Sequence, residues 1–108
     1  MSDKLDIFKY QGKEVRIVKD EQGEPWWVAK DVCDILELKN SSKALEGLEE
    51  DEKGITISDT LGGPQEMLII SEAGYYHLVH RRNTKKARDI QRWTFHEVLP
   101  AIRRTGPI

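Results

Sequence analysis

The last third of the chain, residues 77–104, reads HLVHRRNTKKARDIQRWTFHEVLPAIRR and predicts two helices joined by a short polar turn. This segment holds eight Lys or Arg against two carboxylates, although the whole chain of 108 residues has a formal net charge of −2. The rest of the chain is therefore acidic. A near-neutral protein with one cationic segment is typical of proteins that meet an anion, and a long cationic helix favours nucleic acid.

The final helix of this segment is expected to begin at Asn83 or Thr84 and to run to about Leu99. Either polar residue can accept a backbone amide hydrogen bond at a helix start. Pro100 is expected to break or kink the helix, because its ring removes one amide and clashes with the preceding turn.

Helical periodicity separates this final helix into an apolar side and a cationic side. The apolar side is formed by Ala87, Ile90, Thr94 and Val98, with Phe95 at its margin. The cationic side, called the basic stripe below, is formed by Lys85, Arg88, Arg92 and His96, with Asp89 as its one acid. The basic stripe extends over about 16 Å, which is comparable to several phosphate spacings along a duplex.

The candidate DNA contacts follow from this charge and spacing, because guanidinium groups bind phosphate in a bidentate manner. We predict contacts from eight residues, namely Arg81, Arg82, Lys85, Lys86, Arg88, Arg92, Arg103 and Arg104. The alternative is a solvated helix, since packing on a core also demands a polar outer side.

The first two thirds of the chain alternate between strand-like and helix-like patterns. Strands are predicted at Leu5–Tyr10, Lys13–Val18, Trp26–Val28, Gly54–Ser58 and Glu66–Ile70. Helices are predicted from Ala29, from the cap Asn40-Ser41-Ser42 through Leu48, and from Ser71-Glu72. This order predicts an α+β fold of small antiparallel β-hairpins packed with short helices and one longer C-terminal basic helix, in a single domain 1–108.

Composition limits where the protein is expected to work. No apolar run approaches the roughly 20 residues of a membrane span, and the N-terminus lacks the apolar stretch of a secretion signal. Cys33 is the one cysteine, so no internal disulfide can form. These features favour a reducing, cytoplasmic setting and no membrane partner.

Catalytic and metal-binding patterns are missing from the sequence. His77 and His80 have the spacing of a two-histidine metal site, but no Cys, Asp or Glu lies nearby in sequence, so surface histidines are expected. Cys33 is expected to be a core residue. There is no glycine-rich phosphate loop, paired-cysteine zinc signature or hydrolase motif, and we therefore predict no enzyme, no metal and no cofactor.

Three further features predict packing. Trp26 and Trp27 are adjacent on a strand, so one ring should point inward and one outward. Trp93 lies off the apolar side of its helix, which indicates contact with another element or another subunit. The acidic run Glu49–Glu52 is expected to be a solvated loop away from any DNA-binding surface.

Several segments, taken in order, resemble successive blocks of the BRO family N-terminal domain, which is found in viral BRO proteins and prophage antirepressors. The carrying segments are PWWVAKDVC at 25–33, NSSKAL at 40–45, DEKG at 51–54, GGPQE at 62–66, ISEAGY at 70–75 and EVLPAIR at 97–103, with Ala87 and Trp93.

This resemblance implies a DNA-binding role within phage regulators that relieve repression, and a different C-terminal domain following this one. We therefore expect double-stranded DNA as the partner, and a chain that is excised from, or equivalent to, the N-terminal part of a longer regulator. The alternative is a protein-interaction module that binds a phage repressor or forms a homodimer without touching DNA, with Trp93 as a candidate anchor.

Overall fold

A computed structural model describes residues 4–60, 62–82 and 84–105 and confirms the α+β class. All five strands join in one antiparallel sheet, in the order β1-β2-β3-β5-β4. The strands are β1 (Lys4–Tyr10), β2 (Lys13–Lys19), β3 (Pro25–Val28), β4 (Lys53–Thr60) and β5 (Gly63–Ser71).

The short strand β3 unites the two predicted hairpins. Trp27 pairs with Ile17 on one side and with Ile70 on the other, so these three side chains share one face of the sheet. All three are fully buried. The β1–β2 turn is made by Gln11 and Gly12, whose φ angles of 52° and 83° match the two-residue turns that follow the twist of a hairpin.

Helices cover that face of the sheet. They are α1 (Ala29–Ile35), α2 (Ser41–Ala44), α3 (Glu72–Arg82), α4 (Lys85–Trp93) and α5 (Leu99–Thr105), with a 3-10 turn at Glu50–Glu52 and a π-helical segment at Thr94–Val98. Helix α2 is shorter than predicted, since it ends at Ala44, although Leu45 and Leu48 beyond it are still buried in the core.

The C-terminal helical segment does not end at Pro100, which corrects the prediction of a break there. The backbone stays helical at Thr94 and Leu99, and α5 continues to Thr105. The amide of Leu99 donates to the carbonyl of Thr94, five residues back, which is the bonding pattern of a π turn. The departure from regular α-helical hydrogen bonding therefore lies before Pro100, in the π-helical segment. Such π turns are a common place for a helix to bend.

Candidate nucleic-acid interface

Helix α4 carries Lys85, Arg88 and Arg92 of the basic stripe, whereas His96 lies in the π-helical segment that follows. The start of α4 is fixed by a side-chain cap. Thr84 has extended backbone angles, and its hydroxyl accepts a hydrogen bond from the amide of Ala87 at 3.2 Å. This confirms one of the two predicted caps, while Asn83 lies outside the described residues. Ala87 and Ile90 are fully buried, so the orientation of the helix about its axis is set by the core.

Buried hydrogen bonds fix the other end of α4. The hydroxyl of Thr94 donates to the carbonyl of Ile90 at 2.9 Å and lies 2.6 Å from the hydroxyl of Tyr75 on α3. The ring of Tyr75 stacks on Trp27, with 4.6 Å between ring centroids. These three side chains are all buried. Their contacts therefore fix the positions of the sheet, α3 and the end of α4 relative to one another.

Trp93 contacts another element of its own chain, which is one of the two contacts that its position off the apolar side of the helix indicated. Its ring centroid lies 5.1 Å from that of Tyr10 and 6.3 Å from that of Phe8, both on β1. The tryptophan pair also behaves as predicted: Trp27 is buried, and half-buried Trp26 donates from its indole nitrogen to Asp20 at 2.9 Å.

Arg88 and Arg92 lie exposed on the side of α4 opposite to the buried residues. Neither forms an ion pair with any residue that the structure describes. Lys85 is different, since its ammonium lies 2.8 Å from the carboxylate of Asp89, one turn later. The hydrogen bond and the charge of Asp89 raise the pKa of Lys85, whose side chain is nevertheless 82% exposed.

Lys86 is paired with Glu37, the second residue after α1. The hydrogen bond and charge of Lys86 lower the pKa of Glu37, so this carboxylate is ionised at neutral pH. This contact joins the start of α4 to the segment between α1 and α2. Lys86 therefore has a structural role that the sequence did not indicate.

The remaining predicted residues have different surroundings. Arg81 donates from Nη2 to the carbonyl of Ala44 at 2.9 Å, whereas Arg82 is exposed and forms no ion pair within the described part of the chain. Arg103 and Arg104 belong to α5, but their side chains lie outside the described residues.

The acidic run does not behave as a fully solvated loop. Glu52 is buried, and its carboxylate accepts a hydrogen bond from the amide of Glu49 at 2.9 Å. The same carboxylate lies 3.0 Å from Nδ1 of His77 on α3. An acid distant in sequence therefore does lie beside one of the histidines, yet no cluster of three metal-ligating side chains exists among the residues described.

Two other predictions concern reactivity and membranes. Cys33 is buried in the core, and burial together with the charge of Asp34 raises its pKa to about 11. The thiol is protonated at neutral pH and is a poor nucleophile. None of the described helices is long and apolar enough to cross a membrane.

Sequence analysis missed two lysines that the fold brings to this region. Lys39 and Lys43 line an open cleft of about 380 Å³ together with Arg81 and Arg82. These two lysines are four residues apart in sequence, on either side of the start of α2. The sequence alone does not show that the end of α3 packs beside them and completes a cationic cleft.

Comparisons with known proteins identify the family of the chain. The model of the BRO family, N-terminal domain, matches residues 14–100. An uncharacterised protein of Haemophilus influenzae is 38% identical over 104 residues, which cover 94% of this chain and 51% of that protein. A protein of Invertebrate iridescent virus 3, named for a Bro-N domain, is 26% identical over 106 residues, covering 77% of this chain and 26% of its own length. The chain thus spans about half or less of these relatives, and no solved structure matches it.

Proposed function

Since the chain belongs to the BRO family of N-terminal domains, we propose that it is the DNA-binding domain of a phage or viral regulator of the antirepressor type. In this proposal the domain works within a longer regulator. The basic stripe of α4 contacts the phosphate backbone of duplex DNA, and the buried side of the same helix only positions it.

The observation that carries this proposal is the pair Arg88 and Arg92, exposed and without ion pairs in the described structure. They lie one turn apart, or about 6 Å along the helix axis. Each strand of duplex DNA carries a phosphate about every 3.4 Å of axis, so the two guanidiniums can reach different phosphates. Such contacts position a protein on DNA and carry no sequence information by themselves.

The ion pairs of Lys85 and Lys86 are compatible with the same role. Both pairs are exposed, and water screens exposed pairs so strongly that they contribute little to stability. A DNA phosphate can therefore replace the carboxylate at little cost. Arg82, at the end of α3, is a further exposed cationic residue, three positions before Lys85 in sequence.

The test is binding of random-sequence duplex DNA by the Arg88→Ala/Arg92→Ala variant, measured by fluorescence anisotropy at several salt concentrations. We expect weaker binding to all sequences and a salt slope reduced by about two, because each lost phosphate contact reduces the slope by about one. The charge-matched control is Lys9→Ala/Lys30→Ala, which removes two exposed lysines located elsewhere. Parent-like binding by the arginine variant at low salt would refute the proposal.

A second candidate function, protein interaction, is favoured by one apolar surface. Ile55 and Ile57 on the edge strand β4 are 60% and 67% exposed, and exposed Leu68 lies directly opposite Ile55 on β5. An exposed apolar edge strand is a template for pairing with another chain, such as a repressor or a second copy. This candidate predicts no DNA binding at low salt, and self-association that Ile57→Lys abolishes in light scattering.

A further inference from the structure

An open cleft lies between the segment that follows α1, helix α2 and the end of α3. It is lined by Leu38, Lys39, Asn40, Lys43, Ala44, Leu78, Arg81 and Arg82. Four of these eight side chains are cationic, and the described lining includes no Asp or Glu. Its volume of about 380 Å³ is in the range of sites that hold a small ligand or a portion of a larger one.

Most of these cations are available for binding. Lys39, Lys43 and Arg82 are exposed and form no ion pair among the residues that the structure describes. Like charges that share a cleft without a counter-charge repel one another, and an anion removes that repulsion. The cleft therefore has an electrostatic preference for a negatively charged ligand.

The guanidinium of Arg81 is already fixed in place. It donates to the carbonyl of Ala44, and its Nη1 occupies the space where a side chain at residue 47 would lie, so Gly47 leaves room for it. One of its five N–H groups is used in the hydrogen bond to Ala44, which leaves others for a ligand. A side chain that is already ordered loses less conformational entropy on binding.

The neutral residues of the cleft also suit a backbone phosphate. The side-chain oxygen of Asn40 accepts a hydrogen bond from the amide of Lys43 at 3.0 Å, so its NH₂ group is the part left to donate. Half-buried Leu38 supplies apolar surface beside the charges. Such a surface fits a deoxyribose ring better than a fully hydrated ion.

The cleft residues are neighbours in sequence of residues that contact or begin α4. Glu37, which pairs with Lys86 of α4, directly precedes the cleft residues Leu38 and Lys39. In sequence, only two residues separate Arg82, at the end of α3, from Lys85, at the start of α4. A DNA strand that follows the basic stripe toward its N-terminal end thus meets the cleft next.

We propose that this cleft binds backbone phosphates of the same DNA that contacts Arg88 and Arg92. The inference rests on the proposed function and extends its contact surface to Lys39, Asn40 and Lys43, which lie outside the basic helical segment. Arg81 acts here as a positioned phosphate ligand, held by α2.

The experiment is duplex DNA binding by Lys39→Ala/Lys43→Ala, measured beside Arg88→Ala/Arg92→Ala and the control Lys9→Ala/Lys30→Ala. We expect the cleft variant to reduce the salt slope by about two and to weaken binding about tenfold or more at low salt. Lys39→Arg/Lys43→Arg keeps both charges and should bind like the parent. All four substituted lysines are exposed, so circular dichroism should show parent-like folding.

The outcomes separate this inference from the proposed function. If the cleft variant matches the control while the stripe variant binds weakly, the cleft is not a phosphate site and DNA binding by α4 stands. If the parent itself does not bind duplex DNA at low salt, both proposals fall. Loss of affinity in both variants, with the control unaffected, supports both.

Discussion

Asp20 stabilises the turn between β2 and β3 with a single carboxylate. Its Oδ1 accepts the amides of Gln22 and Glu24, and its Oδ2 accepts the indole N–H of Trp26, each at 2.9 Å. Burial disfavours the charged form, but these hydrogen bonds outweigh that effect and lower the pKa of Asp20 below its ordinary value of 3.8.

This lowered pKa predicts an acid-sensitive contribution to stability. Because the folded-state pKa lies below the unfolded-state pKa, the contribution is complete above the unfolded value and is lost as pH falls through the folded value. We expect the free energy of unfolding of the parent to drop between about pH 5 and pH 2 by more than that of Asp20→Asn. Urea unfolding across this range checks it, with exposed Asp51→Asn as the control that should resemble the parent.

Tyr75 and Thr94 form a second residue-scale feature, the buried hydrogen-bond network behind the basic stripe. Tyr75→Phe keeps the ring stacked on Trp27, and Thr94 keeps its bond to the carbonyl of Ile90. The expected loss is therefore about 1–2 kcal/mol of unfolding free energy. Thr94→Val should cost a similar amount, and the double variant should cost less than the sum, because both hydroxyls share one interaction. Additive losses in urea unfolding would contradict this coupling.

The C-terminal end of helix α1 places a non-glycine residue, Glu37, in the left-handed backbone region. The amide of Leu38 donates to Cys33 and that of Glu37 to Asp34, the paired bonds of a Schellman motif. Glu37 occupies the position that favours glycine, with φ of +61°. Its side chain pairs with Lys86 of α4. Glu37 therefore has a strained backbone and also links the end of α1 to α4.

We expect Glu37→Gly to raise the melting temperature by about 4 °C, since relief of backbone strain outweighs the loss of one exposed ion pair. The same change frees Lys86 and removes a negative charge beside the cleft, so DNA affinity should rise. Glu37→Gln is the matched control, because it should raise DNA affinity without raising the melting temperature. A lower melting temperature for Glu37→Gly would show that the ion pair matters more than the strain.

The elements were predictable wherever a local pattern defined them. Alternation along β1, β2 and β4 was sufficient to predict a strand at each of these places. The pairing of β3 with β5 was not predictable, because it joins residues 27 and 70, which are far apart in sequence and are linked by no local pattern. The π segment at 94–98 was also missed, since no residue pattern distinguishes it from an α-helix before a proline.

At the scale of the whole molecule, the candidate interface combines stretches that are separate in sequence. Charge clustered along the chain revealed Arg82, Arg88 and Arg92, because neighbours on a helix are also neighbours in space. Lys39 and Lys43 joined them only because the fold brings the segment after α1, helix α2 and the end of α3 to one cleft. The same folding assigned Lys86 and Arg81 to contacts within the protein. The sequence therefore predicted the positive charge of the candidate interface and the helical segment that carries most of it. It did not predict that Lys39 and Lys43 belong to the same surface.

A molecule with net charge −2 has no overall attraction for DNA, so binding must depend on this local surface. If Arg82, Arg88, Arg92, Lys39 and Lys43 each displace one counterion, the logarithm of duplex affinity should fall with the logarithm of salt with a slope of about −4.5. Affinity should then drop roughly 500-fold between about 50 and 200 mM salt.

Single-stranded DNA of the same length provides the matched comparison, because its lower charge density should reduce the slope to about −3.5. A duplex slope near −2 would restrict the contacts to a fraction of these five cations and exclude simultaneous use of the stripe and the cleft. A slope near zero would mean that phosphates are not what this surface binds, and the apolar edge of β4 would become the stronger candidate for an interface.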